Sequence, residues 1–341
     1  MLNVALVGAG FMGAFHAQTL AQRLPDALLV GVADAVGSTA QRVANAVGCE
    51  RATSDYRELL ADPAVDAVVI ATPAAYHGAV VEAAAGAGKA IFCEKPITET
   101  LAQADAALAA VQAAGVPLQI GFQRRFDAGF ARAHELVVSG ALGRPQLLRS
   151  ITRDPPMPDL SPPPASAIFR DTLIHDFDVL RWMAGSEPRR VFAAAAALNE
   201  PFIGSGSYDA ALVTITFESG ALAAADSSYW ASYGYDVRAE VQGTTGMITV
   251  GAERSHSATL HDRAGSHAER AFWFLDVFRD AYVAELAAFV NAVQSGTPPA
   301  CSGADGRAAL LIALAAMRSV ELGRPVDVAE LQAPAGGAVR G

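Results

Sequence analysis

Residues 4–13 of the chain read VALVGAGFMG, and this stretch decides the class of the fold. Its first four residues form an apolar run, which leads directly into a G-x-G-x-x-G turn and then into a helical pattern. In such a turn the first glycine allows a tight bend, the second lets the backbone approach a pyrophosphate, and the third allows close packing of helix on strand. These positions are Gly8, Gly10 and Gly13. The stretch therefore predicts the dinucleotide-binding turn of a βαβ unit, with the phosphates at the helix N-terminus.

An aspartate after the next apolar run supports this interpretation. Asp34 follows the strand-like run Leu28–Ala33 and stands 21 residues after Gly13. An acidic side chain about 20 residues beyond the turn accepts hydrogen bonds from the adenosine ribose. A carboxylate here repels a 2′-phosphate, and residues 35–38 contain no arginine that would bind one. The sequence therefore predicts NAD as the cofactor and disfavours NADP.

Strand-like and helix-like segments alternate from the N-terminus to about Phe122. The strand-like runs are apolar throughout, which suits a parallel sheet covered on both faces. Their alternation with alanine-rich helices is typical of a doubly wound α/β domain. The predicted strands are Val4–Val7, Leu28–Ala33, Ala67–Ala71, Ala90–Cys93 and Pro117–Ile120, and the predicted helices are Ala14–Leu24, Thr39–Val47, Tyr76–Ala87 and Leu101–Ala114.

After about Gln123 the pattern changes to consecutive strand-like runs separated by Gly, Asp and Ser turns, which is typical of an antiparallel sheet. We therefore expect two domains, an α/β domain over residues 1–122 and an α+β domain over residues 123–341, with a C-terminal helix that can pack back on the first domain. The predicted strands here are Arg190–Ala197, Ala211–Phe217, Ala221–Ser228, Tyr235–Gln242 and Gly246–Val250, and the predicted helices are Phe130–Ser139, Asp171–Met183, Tyr282–Val293 and Ala308–Val320.

Composition and charge exclude several classes of function. Hydrophobic residues make up 52% and charged residues 18% of the 341 residues, as in a globular protein. The formal net charge of −10 argues against a nucleic-acid partner. No apolar run reaches the ~18 residues that a membrane span needs. We expect no signal peptide, because the apolar run Val4–Val7 leads directly into the glycines. Three separated cysteines without CxxC spacing predict free thiols in the cytoplasm.

Two short motifs follow strands of the first domain, at the carboxyl edge of the sheet where ligands bind. They are Thr72-Pro73 and Glu94-Lys95-Pro96. Pro96 disfavours the helical conformation for Lys95, which directs this residue out of the strand. An ammonium group at this edge can stabilise the alkoxide character that develops as a hydride leaves a hydroxyl carbon. The alternatives are a solvated surface lysine and a simple turn at Thr72-Pro73.

Asp171 and His175 stand four residues apart on a predicted helix and therefore project from one face. Histidine is the usual side chain that takes a proton near neutral pH, and a neighbouring carboxylate raises its basicity. The alternative is a buried structural histidine. The remaining histidines lack a comparable pattern, and we expect no metal site at the loop histidines His256, His261 and His267.

Four motifs in this order resemble the glucose–fructose oxidoreductase / inositol dehydrogenase / MocA family over essentially the whole chain. They are the turn at residues 8–13, Glu94-Lys95-Pro96, residues 121–127 (GFQRRFD) and residues 168–178 (IFRDTLIHDFD). Within the family the likeness is greatest to inositol 2-dehydrogenases. Residues 233–237 (YGYDV) also resemble a segment of these enzymes. The joint occurrence of the motifs is far more specific than the glycine turn alone.

The resemblance implies an N-terminal Rossmann domain and a C-terminal α+β domain with a large, mostly antiparallel open sheet, through which the family forms dimers or tetramers. It implies oxidation of a cyclic polyol with NAD, a catalytic trio of Lys95, Asp171 and His175 with His175 as general base, and often a cis Lys95–Pro96 bond. Trp273 and Tyr282 resemble the segment near the nicotinamide. The expected cofactor site comprises Gly8, Gly10, Phe11, Met12, Gly13, Asp34, Thr72, Pro73, His77, Glu94, Lys95 and Gln123, and the expected substrate site comprises Lys95, Arg124, Asp154, Thr172, His175, Asp178, Tyr233 and Tyr235.

Two departures from the family pattern lie beside the expected substrate site. Residues 152–155 read TRDP, where many inositol enzymes carry a histidine before the arginine, and Ser166-Ala167 replaces a pair of glycines. The identity of the substrate is therefore open. An NAD(P)-dependent dehydrogenase or reductase of an aldose or a modified sugar is an alternative, and a non-catalytic NAD-binding sensor is an alternative of a different class.

Overall fold

The computed structural model describes residues 1–156, 161–252 and 258–332. These residues form two compact units. The first unit comprises residues 1–126 and 281–310, and the second comprises the described residues within 127–280 and 311–332. None of the described helices is both long enough and apolar enough to cross a membrane.

The helices and strands are numbered here in chain order. The strands are β1 (Leu2–Val7), β2 (Ala27–Ala33), β3 (Ala52–Thr53), β4 (Ala67–Ile70), β5 (Ala90–Glu94), β6 (Leu118–Gly121), β7 (Pro145–Arg153), β8 (Pro188–Ala196), β9 (Ala210–Phe217), β10 (Leu222–Ser228), β11 (Asp236–Gly243), β12 (Met247–Ala252), β13 (Leu260–Asp262), β14 (Gly265–His267) and β15 (Val326–Asp327). The α-helices are α1 (Phe11–Gln22), α2 (Gly37–Val47), α3 (Arg57–Leu60), α4 (Ala74–Gly86), α5 (Leu101–Ala114), α6 (Ala128–Val138), α7 (Ile174–Ala184), α8 (Phe274–Ser295), α9 (Gly303–Leu322) and α10 (Ala329–Gln332).

The first unit contains a parallel six-stranded sheet in the order β3-β2-β1-β4-β5-β6, which confirms the predicted Rossmann topology. Strands β4 and β5 are buried along their whole length, and all their residues except Glu94 are apolar. Local signals fix the helix ends. Thr100 and Gln103 form a capping box at the start of α5, and Gly115 ends that helix in the left-handed conformation. The loops that follow the strands lie at the carboxyl edge of the sheet.

The first unit ends at Phe126, whereas the predicted boundary follows Phe122, and it includes residues 281–310 from two C-terminal helices, a region in which the sequence allowed a helix to pack on the first domain. Tertiary contacts within the unit account for both features. The side-chain amide of Gln119 in β6 donates to the carbonyl of Glu285 in α8 (2.9 Å). The guanidinium of Arg125 lies 3.2 Å from the carboxylate of Asp305 in α9.

The second unit contains a seven-stranded sheet in the order β12-β11-β7-β10-β9-β8-β15, in which only β7 and β10 pair in parallel. The predicted mostly antiparallel α+β domain is confirmed. The sequence did not predict β7, although it lies inside the sheet between β11 and β10. Two of its buried side chains, Ser150 and Thr152, are polar and donate to the buried carboxylate of Asp176 in α7. A half-buried strand is predicted from alternating apolar and polar residues. Because the buried positions of β7 include polar residues, its sequence lacks this alternation.

The helix predicted to begin at Asp171 begins instead at Ile174. Residues Ile168–Thr172 form a π-helical turn, a wider turn that recurs at functional sites. Asp171 is exposed in this turn, whereas His175 is buried in the first turn of α7. The two residues therefore belong to different helical segments.

Candidate active site

A cavity of about 900 Å³ lies at the carboxyl edge of the parallel sheet in the first unit. The loops after β1, β2, β4 and β5 all contribute to its walls. Eight of the residues expected at the cofactor site line it, namely Gly8, Gly10, Met12, Asp34, Thr72, Pro73, Glu94 and Lys95. Among the other expected residues, Phe11 is 61% exposed, whereas His77 and Gln123 are buried.

The three glycines of the first turn have different physical roles. Gly8 has a φ of +95°, and a Cβ on it would lie 2.5 Å from the carbonyl carbon of Ala71. A Cβ on Gly13 would overlap the carbonyl oxygen of Gly8. A Cβ on Gly10, in contrast, would meet no atom within 4 Å. Two glycines therefore permit close backbone packing, and Gly10 leaves open space beside the cavity.

This turn fits a dinucleotide pyrophosphate. Helix α1 begins directly after Gly10 and has no side-chain cap at its N-terminus. Its first backbone N–H groups are therefore available to a phosphate, whose negative charge the helix dipole also favours. The open space at Gly10 allows the backbone to approach that phosphate closely.

The carboxylate of Asp34 is held in place by two backbone groups. Its Oδ2 accepts a hydrogen bond from the N–H of Ala9 (2.8 Å), and its Oδ1 accepts one from the N–H of Val36 (2.9 Å). Each carboxylate oxygen has further lone pairs with which it can accept a ribose hydroxyl. Asp55 also lines the cavity, where it pairs with the guanidinium of Arg57 (3.3 Å). The carboxylate of Asp34 therefore carries the preference for NAD over NADP.

Glu94 and His16 form a buried pair at the end of β5. The Nε2 of His16 lies 2.7 Å from Oε1 of Glu94, and Oε2 of Glu94 accepts a weak hydrogen bond from the backbone N–H of Lys95 (3.3 Å). Burial by itself raises the pKa of the Glu94 carboxyl. The hydrogen bond from His16 and the neighbouring positive charges outweigh this effect and hold the pKa below its ordinary value. No local sequence signal identifies His16, because its partner is 78 residues away in the chain.

Lys95 follows this pair and is half-buried in the wall of the cavity. The peptide bond between Lys95 and Pro96 is cis, as the family resemblance implied. His77 in α4 contacts the carbonyl oxygens of both Thr72 and Pro96. His77 therefore holds the loop after β4 and the loop after β5, which both contribute to the cavity.

In the second unit, three of the predicted site residues gather around a tyrosine that the sequence did not identify. The hydroxyl of Tyr229 lies 3.0 Å from Oγ1 of Thr172. Burial, partly offset by this hydrogen bond, raises the pKa of the Tyr229 hydroxyl, and the carboxylates of Asp154 and Asp171 raise it further. The parallel pairing of β10 with β7 sets these residues side by side, since the N–H of Asp154 donates to the carbonyl of Ser228 (2.8 Å).

The other residues predicted for the substrate site have different surroundings. The hydroxyl of Tyr233 donates to Asp236 (2.9 Å) and accepts from Arg153 (3.2 Å). Tyr235 is buried with its ring edge-on to Phe278. Arg124 in the first unit, and His175 and Asp178 in the second, are also buried.

Tyr282, which the resemblance associated with the nicotinamide, belongs to the first unit. Its ring packs edge-on against Phe15 and His16, at centroid distances of 5.7 and 6.3 Å. It therefore helps to enclose the His16–Glu94 pair in an aromatic environment.

Comparisons with known proteins agree with this architecture. Residues 2–122 match a family model described as "Oxidoreductase family, NAD-binding Rossmann fold", and residues 130–249 match one described as "GFO/IDH/MocA C-terminal domain". The chain is 39% identical over 338 residues to the myo-inositol 2-dehydrogenase of Thermotoga maritima. The aligned region covers 97% of this chain and 99% of the relative. It is 40% identical over 333 residues to the inositol 2-dehydrogenase of Rhizobium meliloti, covering 96% and 99%. The structure is similar to that of scyllo-inositol dehydrogenase from Lactobacillus casei with bound NAD(H) and scyllo-inositol, with a TM-score of 0.90, 27% identity and coverage of 96% and 99%.

The contrast between Gly10 and Gly13 gives a test of the cofactor cradle. Gly10 has a φ of −67°, which alanine adopts readily, so we expect Gly10→Ala to unfold at the same urea concentration as the wild type. Its methyl group would occupy the space of the approaching phosphate, so the Kd for NAD should rise by about tenfold or more. Gly13→Ala should lower the free energy of unfolding by about 2 kcal/mol or more, because the added Cβ overlaps backbone.

Calorimetric titration with NAD and urea unfolding measure the two effects separately. Wild-type affinity in Gly10→Ala would contradict the assignment of this turn to the phosphates.

Proposed function

Because the chain belongs to the Gfo/Idh/MocA family of oxidoreductases, we propose that it oxidises a ring CH–OH of an inositol to a keto-inositol with NAD+. Relatives called inositol 2-dehydrogenases at 39–40% identity over nearly the whole chain support this proposal. One observation carries the proposal: Lys95 lines the same cavity as the glycine turn and Asp34. A cation suited to stabilising an alkoxide thus stands in the wall of the dinucleotide site.

In the proposed mechanism, His175 takes the proton of the ring hydroxyl on an imidazole nitrogen, and the carboxylate of Asp171 favours the imidazolium that forms. The ammonium of Lys95 stabilises the negative charge that develops on the oxygen while the C–O bond becomes a carbonyl. The glycine turn and Asp34 would hold NAD+, which would supply the acceptor for the hydride that leaves the ring carbon. The protein contributes placement and charge.

We assign recognition of the remaining ring hydroxyls to further polar side chains. Carboxylates and hydroxyls discriminate strongly between polyols, because an analogue that lacks the matching hydroxyl leaves them unpaired. Asp154 and Thr172 have the most support, since both lie near the Tyr229 hydroxyl. The other proposed contacts are Arg124, Asp178, Tyr233 and Tyr235.

A second candidate function is oxidation or reduction of an aldose or modified pyranose. Thr152 stands where many inositol enzymes carry a histidine, and its hydroxyl is buried and donates to Asp176 (2.7 Å). A side chain committed in this way does not replace a histidine contact to the substrate. This observation favours a substrate whose hydroxyl pattern differs from that of the usual inositol.

We also propose that the chain forms a homo-oligomer, a dimer or a homotetramer, through the open face of its seven-stranded sheet. By strand register, five apolar side chains share this face, and each is between 40% and 64% exposed. Exposed apolar side chains that share one sheet face are typical of an interface, and Arg149 and Glu240 lie among them on this face. The five are Leu147, Phe192, Leu212, Leu222 and Met247. The three free, buried cysteines support a cytoplasmic location.

Turnover of a polyol panel tests the function. With myo-, scyllo- and chiro-inositol and common pyranoses, each with NAD+ and NADP+, we expect reduction of NAD+ by at least one inositol. Activity on a pyranose alone would replace the leading proposal by the second candidate. Tight NAD binding with no turnover of any substrate would instead indicate a sensor.

Single substitutions test the catalytic assignments. We expect Lys95→Ala and His175→Ala to lower kcat by about 10²-fold or more, because each removes a group that acts on the transferred proton or the developing charge. The Kd for NAD should change by less than about threefold, or ~0.7 kcal/mol. The exposed His261 provides a control, since His261→Ala should leave both quantities unchanged. A near-normal rate in either variant would refute the role of that residue.

Light scattering tests the oligomer. Leu212 is 64% exposed on the open sheet face, so Leu212→Glu should shift the mass towards the monomer by placing a charge in the interface. Val138 in α6 is 70% exposed and lies outside this face, so Val138→Glu serves as the matched control. A wild-type monomer would disprove the proposal directly.

A further inference from the structure

Both ring nitrogens of the buried residue His77 contact backbone carbonyl oxygens. Nδ1 lies 2.7 Å from the oxygen of Pro96, and Nε2 lies 2.8 Å from the oxygen of Thr72. These are hydrogen-bond distances. A carbonyl oxygen only accepts hydrogen bonds, so each contact requires a proton on the nitrogen.

A neutral imidazole carries one N–H and one lone pair. In that form, one nitrogen of His77 would direct its lone pair at a carbonyl lone pair in a side chain that is only 1% exposed. We infer that His77 is an imidazolium that donates to both carbonyls and thereby acts as a positioning residue for Thr72-Pro73 and Lys95-Pro96, two loops of the dinucleotide site.

A buried cation needs a compensating negative charge. Glu94 supplies it, since this buried carboxylate directly precedes Lys95-Pro96, the loop whose carbonyl oxygen His77 contacts. The neighbour of His77 in α4, Gly78, lies against the uncharged side chains of Thr98 and Gln103.

His16, the second histidine at this edge, is in the opposite state. Its Nε2 lies 2.7 Å from Glu94, whereas its Nδ1 has no hydrogen-bond partner among the residues that the structure describes. The ring is fully buried and lies edge-on to Phe92 and Tyr282. A proton on Nδ1 would have no acceptor there, so His16 is the neutral tautomer that donates from Nε2 to the carboxylate. Glu94 thus keeps its negative charge to balance His77.

The double donation has a structural consequence for the site. Thr72 and Lys95 line the same cavity, on loops that follow different strands. One side chain therefore fixes the wall that meets the cofactor and the loop that carries the lysine. The effect on turnover rests on the proposed function, through Lys95, whereas the protonation state does not.

Nuclear magnetic resonance of the full chain with ¹⁵N-labelled histidine tests the protonation state without cofactor or substrate. At neutral pH, we expect both ring nitrogens of His77 to show the shift of a protonated nitrogen and one-bond coupling to hydrogen. Loss of these signals in His77→Gln assigns them. One protonated and one bare nitrogen in His77 would overturn the inference, whatever the enzyme does.

Two variants separate the two donors. In His77→Gln the side-chain amide stands in for Nε2 and retains the bond to Thr72, so kcat should fall about tenfold while the Kd for NAD stays within about threefold. In His77→Asn the amide stands in for Nδ1 and retains the bond to Pro96, so the Kd should rise about tenfold with kcat at saturation nearly kept.

His261→Gln and His261→Asn are the matched controls, because His261 is exposed in β13 and should tolerate both changes. Equal effects of both His77 variants on both parameters would show a purely structural residue and refute the positioning role. If the wild type turns over no substrate, the proposed function fails, and the resonance and NAD titration experiments still decide this inference.

Discussion

The close approach of three backbone segments at the glycine turn is the constraint on which the site in the first unit depends. Gly8 turns where any side chain would meet Ala71 at the end of β4, and Gly13 packs where any side chain would meet the carbonyl of Gly8. Backbone hydrogen bonds hold this arrangement, since Gly8 donates to Ala33 (2.8 Å) and Ala71 donates to Val7 (2.8 Å). The ends of β1, β2 and β4 are therefore fixed together, and the cavity opens beside them.

Buried polar contacts connect the helix after this turn to the loop that carries Lys95. His16 reaches from α1 to Glu94, and His77 reaches from α4 to the loops on either side of the cavity. Buried polar groups are costly unless they are hydrogen-bonded, and satisfied networks specify one arrangement of the chain. The same side chains that hold the loops also set the charge at the site.

The second unit applies the same principle with different residues. Asp176 in α7 accepts from Ser150 and Thr152 of β7, so a helix and a strand are joined by buried hydroxyls and a carboxylate. This contact fixes α7, whose first turn carries His175 and follows the π-helical turn that carries Asp171. The end of β10 is fixed in turn, because the N–H of Tyr229 donates to the carbonyl of Asp209 (2.8 Å).

The sequence by itself determined the features whose causes lie within one strand and the turn after it. The Rossmann sheet, the glycine turn and the position of Asp34 follow from apolar runs and from spacings of about 20 residues or fewer. Only the tertiary structure decided the position of β7 and the partners of His16 and Tyr229. The side-chain contacts of these two residues span 78 and 57 residues of chain. A hydrogen bond acts over about 3 Å of space, whereas a sequence pattern reports only on neighbours in the chain, so strand pairing and helix packing had to bring these groups together first.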